Sequence, residues 1–348
     1  MTYQYEKVLT PQTGLRLHLN ENTAGCSPKV IEALHRLTQT DISFYPGYDD
    51  VIGACATALR VAPEQLVLTN GLDEGILALT VAALRERGSA LPEAIVVVPA
   101  FDMYASTAAG VGAGVVEVPL GVDFSFPADR ILEAVNAHTR LLFLTSPNNP
   151  TGLLIPKRDI VRIARQAPHV TVLVDEAYAD FAPATLIGDT DLAMLPNVYI
   201  GRTFAKAYGL AGVRAGALIG NAASLETLRH IVPPFSLNIC ASVALTAGLA
   251  DTDSYNWYLG QVRTSKALLY QALEKAGVRF WPSDANFVLA DFGPRARAIV
   301  DGLASRGVHV RDKSRDPACP GCVRITTGVV EHTRTCIQAL EEVLCGEA

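Results

Sequence analysis

In the stretch VYIGRTFAKAYGLAGVRAGALIG, from Val198 to Gly220, a lone lysine, Lys206, stands among small and apolar residues. The apolar run before it ends at Arg202-Thr203, Arg214 follows it, and a second apolar run closes the stretch. A lysine in such surroundings is costly to keep protonated, so its pKa falls, and a neutral amine can attack a carbonyl to form a Schiff base. The stretch by itself also fits a solvated surface lysine. The polar or helical contexts of Lys7, Lys29, Lys157, Lys266, Lys275 and Lys313 suit that plainer use. Other residues must decide between the two.

Ligands of open α/β sheets sit at the carboxyl ends of the strands, and this chain carries reactive or polar residues after several of its apolar runs. After residues 66–69 comes Asn70-Gly71-Leu72-Asp73-Glu74, a glycine turn into a helix start whose free N–H groups suit a phosphate. After 94–98 comes Pro99-Ala100-Phe101, which offers a flat ring. Two further ends carry Ser146-Pro147-Asn148-Asn149-Pro150-Thr151-Gly152 and Asp175-Glu176-Ala177-Tyr178, and 198–203 delivers Thr203, Lys206 and Arg214. Each has an ordinary use: Asn-Pro and Thr-Gly make turns, an aspartate caps a helix, a phenylalanine fills a core. Together they supply an amine, a carboxylate, an amide and phenol pair, a stacking ring and a phosphate cradle. Those parts can hold pyridoxal phosphate, whose chemistry needs a lysine Schiff base and a carboxylate that keeps the pyridine nitrogen protonated.

The elements that position these groups follow from hydrophobic pattern. Apolar runs at 94–98, 114–118, 141–145, 170–175, 198–203 and 215–220 alternate with helical patterns near 73–87, 102–110, 127–137 and 156–167, which predicts a mostly parallel sheet covered on both faces. No helix fits between the last two runs, so one strand is expected to be antiparallel. Upstream, Ser27-Pro28 opens a helix to about residue 37, the loop Phe44-Tyr45-Pro46-Gly47-Tyr48 offers two exposed tyrosines, and a helix covers about 50–60. Beyond Pro233-Pro234 come helices near 236–250, 254–276, 294–305 and 330–344, with short strands at 278–281, 285–292, 308–311 and 323–326, an α+β pattern with a largely antiparallel sheet. The expected division is a large α/β domain over 27–250 and a small α+β domain from 1–26 plus 251–348.

Composition narrows the function. A hydrophobic share of 49% predicts a large buried core, and a net charge of −6 without basic runs argues against nucleic acid. No apolar run reaches the ~20 residues of a membrane helix, and the first residues, MTYQYEKVLTPQ, lack the pattern of a signal peptide. Seven scattered cysteines fit reduced thiols in the cytoplasm. Cys319-Pro-Gly-Cys322 has no second pair to complete a zinc site and reads as a turn into the last strand. Gly110-Val-Gly-Ala-Gly114 follows a helix and precedes a strand, the wrong order for a dinucleotide loop, and reads as a helix stop and tight turn.

The motifs SPNNPTG, DEAY and TFAKAYGLAGVRAG resemble those of the fold-type I, class I/II aminotransferases, and within them the histidinol-phosphate aminotransferase branch. The likeness extends over nearly the whole chain through LNEN, FYPG, NGLDEGI, PAFDMY, PPFSLN, ANF, VRD and VRITTG. It implies a homodimeric, pyridoxal 5'-phosphate-dependent transaminase. In it Lys206 forms the Schiff base and carries the proton, Asp175 pairs with the pyridine nitrogen, and Asn149 and Tyr178 hold the ring's phenolic oxygen. By the same resemblance Phe101 stacks on the ring; the backbone of Leu72 and Asp73, Thr203 and Arg214 bind the phosphate; and Tyr45 reaches in from the partner subunit. Arg324 takes the substrate carboxylate, Arg311 its distal end, and Asn20 of LNEN lies with the substrate.

Two departures bear on substrate. Ala205 stands where the family commonly has a serine, and Thr23-Ala24 where LNEN is usually followed by proline and a tyrosine that closes over the substrate. Histidinol phosphate with 2-oxoglutarate is the first expectation. An aromatic or broad-range amino acid aminotransferase, and a lyase resembling threonine-phosphate decarboxylases, are the alternatives. A non-catalytic binding protein would have no use for Lys206, Asp175 and Arg324 together.

Overall fold

The computed structural model describes Pro11 and residues 13–85, 91–188 and 192–346. Its strands in chain order are β1 (Leu15–Leu17), β2 (Leu66–Thr69), β3 (Glu93–Val98), β4 (Gly114–Pro119), β5 (Thr139–Thr145), β6 (Thr171–Asp175), β7 (Val198–Thr203), β8 (Gly216–Gly220), β9 (Arg279–Trp281), β10 (Phe287–Asp291), β11 (Val308–Asp312) and β12 (Cys322–Thr326). Seven of them form a sheet in the order β2-β8-β7-β6-β5-β3-β4. Successive residues point to opposite faces of a strand, and both faces here are apolar. Leu142 and Leu144 of β5 pack with Val30, Ile160 and Leu245 from helices on one side. Leu141 and Phe143 pack with Ile76, Leu79 and Tyr104 from helices on the other.

Only β8 runs against the rest: it pairs antiparallel with β7 and with β2, while the remaining pairings are parallel. Its beginning therefore lies at the edge where its neighbours end, with Gly216 in register with both Thr69 and Thr203. That reversal carries Arg214, two residues before β8, to the carboxyl edge of the parallel strands.

The second sheet has the order β1-β11-β12-β10-β9, antiparallel except where β1 lies parallel to β11. Val323 and Ile325 of β12 face a core with Leu269, Ile299 and Leu340 of three helices, so Arg324, between them, faces the other way. Arg324 is in register with Arg311 of β11.

Most helices lie where the pattern puts them. Ser27 caps Pro28–Leu34, accepting a hydrogen bond from the Lys29 amide, with Pro28 in the first turn. Leu72–Leu84 is shorter than expected, and residues 86 and 87 of that expectation, like Lys7, lie outside the described residues. The Gly110 stretch ends the helix Met103–Gly110, with Gly112 at φ +84° before β4. Cys319 and Cys322 are buried free thiols leading into β12, and among the described residues no group of histidine, cysteine and acidic side chains could hold a metal.

Candidate active site

A cavity of about 310 Å³ lies at the carboxyl edge of the large sheet, facing the polar side of the small one. Asn20, Leu72, Asp73, Phe101, Asn149, Asp175, Tyr178, Thr203, Lys206, Arg214, Arg311 and Arg324 all line it. Tyr45 does not. It is 80% exposed and stacks on Phe235, ring centroids 4.3 Å apart. Tyr48, expected to be exposed beside it, is half-buried and donates its hydroxyl hydrogen to the Leu237 carbonyl at 2.6 Å.

Lys206 is half-buried, and its Nζ donates to the Leu19 carbonyl at 2.9 Å. Burial, aided by the charge of Arg324, lowers its pKa to about 8, so a neutral amine is accessible near physiological pH. Asp175 ends β6 at the centre of the edge. Its Oδ1 accepts from the Ala177 amide at 2.8 Å and its Oδ2 from the Tyr104 hydroxyl at 2.6 Å. Burial raises its pKa to about 6, against the pull of those two hydrogen bonds.

Tyr178 and Asn149 are arranged to donate. The Asn20 side-chain amide donates to the Tyr178 oxygen at 3.0 Å, which leaves the phenolic proton for another acceptor. Arg324 donates to Asn149 Oδ1, which leaves that amide's N–H groups for a ligand. The same guanidinium donates to the His18 carbonyl at 2.7 Å and lies 5.2 Å from the Phe287 ring centroid. Asn20, buried and at φ +57°, also accepts from the Thr326 hydroxyl at 3.1 Å. It lines the cavity, but its side chain is committed to Tyr178 and Thr326.

The end of the cavity at Gly71 and Arg214 is built by close backbone approach. Gly71, at φ +77°, caps the helix Leu72–Leu84, whose first N–H groups have no partner within the helix. A Cβ on Gly71 would stand 2.7 Å from Arg214 Nη2, and one on Gly216 would stand 2.4 Å from the Leu72 nitrogen. Arg214, itself at φ +61°, donates to Asp73 Oδ2 at 2.6 Å beside them. Positive charge and aimed N–H groups at one helix start suit an anion.

Sequence reasoning missed Tyr104, Thr145 and Lys313, all of which line the cavity. The available signal for the first was its place in the helix start that follows the carboxyl end of β3, three residues after Phe101. Lys313 is a correction. Expected to be solvated, its side chain is 14% exposed and pairs with Asp316 at 3.4 Å. Residues 311 and 313 alternate onto one face, which brings a further cation to the wall that holds Arg311 and Arg324. Lys266 departs too, donating its ammonium hydrogen to the Ser283 carbonyl at 2.7 Å.

The family model for aminotransferase class I and II matches residues 12–340. Among curated proteins, the histidinol-phosphate aminotransferase of Oleidesulfovibrio alaskensis is 35% identical over 342 residues, covering 95% of this chain and 88% of the relative. That of Methanococcoides burtonii is 34% identical over 346 residues, covering 96% and 91%. Among solved structures, the histidinol-phosphate aminotransferase of Sinorhizobium meliloti in complex with pyridoxal-5'-phosphate superposes with a TM-score of 0.87 at 28% identity, covering 97% of this chain and 92% of that one.

Proposed function

Since the chain belongs to the class I and II aminotransferases and has their fold-type I architecture, we propose that it uses pyridoxal 5'-phosphate to pass an amino group from histidinol phosphate or an amino acid to 2-oxoglutarate, most specifically as the histidinol-phosphate transaminase of histidine biosynthesis. The residues present fit that cofactor: an amine of lowered pKa at Lys206, a buried carboxylate at Asp175, donors on Tyr178 and Asn149, and a cradle at Gly71 that a Cβ would disturb.

When bound, pyridoxal phosphate supplies an electron sink for the electrons released at the substrate's α-carbon. This chain's residues do the rest. Asp175 holds a proton at the pyridine nitrogen, Phe101 offers a ring face, and Tyr178 and Asn149 donate to the phenolic oxygen. Arg214, Thr203 and the amides of Leu72 and Asp73 bind the phosphate. Lys206 would hold the cofactor's carbonyl carbon, and its amine would carry the proton released at the substrate's α-carbon.

The facing pair Arg311 and Arg324 carries the substrate assignment. The two arginines stand in register on neighbouring strands and both line the cavity. A substrate with an anion at each end suits that pair: Arg324 grips an α-carboxylate bidentately, and Arg311 takes a distal phosphate or carboxylate. Mixing the holoenzyme separately with glutamate, histidinol phosphate, phenylalanine and threonine phosphate tests the reading through the absorbance change from the aldehyde to the amine form of the cofactor. Conversion by glutamate and histidinol phosphate is expected. Conversion by phenylalanine in place of histidinol phosphate would make it an aromatic aminotransferase, and release of carbon dioxide from threonine phosphate would make it a lyase.

Arg311→Ala should lower kcat/KM for histidinol phosphate roughly tenfold to a hundredfold, the scale of one charged hydrogen bond. Phenylalanine, which has no distal anion, should lose less than about threefold. Steady-state kinetics on both substrates measure the ratio, and equal losses would remove Arg311 from phosphate recognition.

The assembly proposed is a homodimer in which Tyr45 completes the partner's site. Ile42, Phe44 and Tyr45 are all more than 60% exposed, an apolar patch that suits burial against a second copy. A monomer by sedimentation equilibrium would exclude it. Residues 27–250 form the proposed large domain and 1–26 with 251–348 the small one, a division supported by the pairing of β1 with β11. Among the described residues no helix is long and apolar enough to cross a membrane. All seven cysteines are free thiols, which supports the cytoplasm as the compartment.

A further inference from the structure

Asp175 and Thr145 end neighbouring parallel strands and are in register. Tyr104, 1% exposed, lies across both: its hydroxyl is 2.6 Å from Asp175 Oδ2 and 2.9 Å from Thr145 Oγ1. Its ring is fixed by stacking on Phe143, centroids 4.9 Å and planes 16° apart, and meets Phe101 edge-on at 5.8 Å. The direction of the hydrogen bonds follows from chemistry. An ionised carboxylate only accepts, so Tyr104 donates to Asp175. Its oxygen is then left to accept, and Thr145 donates to Tyr104.

We propose that Thr145 and Tyr104 form a one-way hydrogen-bond relay that pins Asp175 Oδ2 and keeps this carboxylate ionised, so that it can hold the proton on the cofactor's pyridine nitrogen. The proposal rests on the pyridoxal phosphate reading above. Tyr104 is a positioning residue, acting through Asp175. Two features make the relay durable. Burial holds the Tyr104 phenol well above its usual pKa, so it stays a donor throughout the working pH range. Thr145 occupies its oxygen, so the phenolic hydrogen has no competing acceptor among these groups. The burial that raises Asp175 to about 6 is opposed by the Tyr104 hydroxyl and the Ala177 amide, so loss of either donor moves that group further up. The other charged or titratable groups facing Asp175 are Asp73, from the helix Leu72–Leu84, which disfavours its ionised form, Lys206, which favours it, and Tyr178.

The first test needs no cofactor. In the apoprotein, carbon-13 NMR of labelled aspartate carboxyls, assigned with Asp175→Asn, follows the titration of Asp175. Tyr104→Phe should move that titration to higher pH. Thr145→Val should move it the same way by less, and Thr145→Ser should leave it in place. In the holoenzyme, Tyr104→Phe should lower kcat roughly tenfold to a hundredfold, the scale of one hydrogen bond to a charged group. KM for glutamate should stay within about threefold, and the acid limb of the kcat profile should shift to higher pH. An unchanged Asp175 titration in a folded Tyr104→Phe protein would overturn the relay, whatever the activity. A displaced titration in a protein that binds no pyridoxal phosphate would uphold the relay and overturn the cofactor reading.

Discussion

Lys206→Ala should abolish amino-group transfer, with a loss beyond about 10⁴-fold, because it removes the group proposed as both nucleophile and proton carrier. The imine absorbance of the holoenzyme should vanish with it, while pyridoxal phosphate still binds through Arg214 and the amides at the start of Leu72–Leu84. Turnover near the parent's rate would overthrow the assignment. The same variant has a stability signature. In the folded apoprotein Lys206 has its pKa lowered to about 8 from an ordinary 10.5. The unfolded chain therefore binds more protons between those values, and the parent gains stability as pH rises through that window. Below pH 8 the lysine is charged in both states, and the folded state bears the cost of burying it. Lys206→Ala carries no such cost, so thermal melts of the two apoproteins should differ most in the variant's favour below pH 8. Its relative advantage should shrink as pH approaches 10.5.

The strands were legible because a parallel sheet buried on both faces writes itself as near-continuous apolar runs. The pairing of the carboxyl ends was legible for the same reason, since each run stops where a polar or glycine-rich loop begins. The helix Ala222–Arg229, with only Leu225 and Leu228 buried, and the five-residue helix Gln39–Ser43, with no buried residue, lack an apolar stripe long enough to announce them. At the site, what could not be read was how groups far apart in the chain meet. Asn20 reaches Tyr178, 158 residues away, and Thr326, 306 away, so its use as a clamp depends on two sheets meeting. Lys313 reads as a solvated surface lysine. It becomes part of the wall because its amide donates to the Cys322 carbonyl at 2.9 Å and closes β11 onto β12.

Asp175→Asn brings the conflict between stability and chemistry to one atom pair. Activity should fall by at least about 10²–10³-fold, the scale of losing one preorganised charge that stabilises the transition state. An amide cannot balance a protonated pyridine, and the electron sink fails without that proton. The pH-dependent part of stability should move the other way. In the parent apoprotein Asp175 has its pKa raised from an ordinary 3.8 to about 6 by burial. The folded state then binds more protons than the unfolded one between those values, so this group's contribution falls as pH rises from about 4 to 6 and remains unfavourable above. His18, lowered to about 4 from an ordinary 6.5 by burial, pulls the opposite way across much of the same window. It is present in both proteins, so it cancels in their difference. The asparagine removes the ionisation cost but offers one oxygen where the carboxylate offered two, so either the Tyr104 hydroxyl or the Ala177 amide loses its acceptor. That loss sets the offset between the two melting curves and has no pH dependence in this window. The melting temperature of Asp175→Asn relative to the parent should therefore climb between pH 4 and 6 and level off above, measured on the apoproteins. A flat difference would mean that Asp175 titrates at its ordinary value in the fold, and that its burial is not what tunes the site.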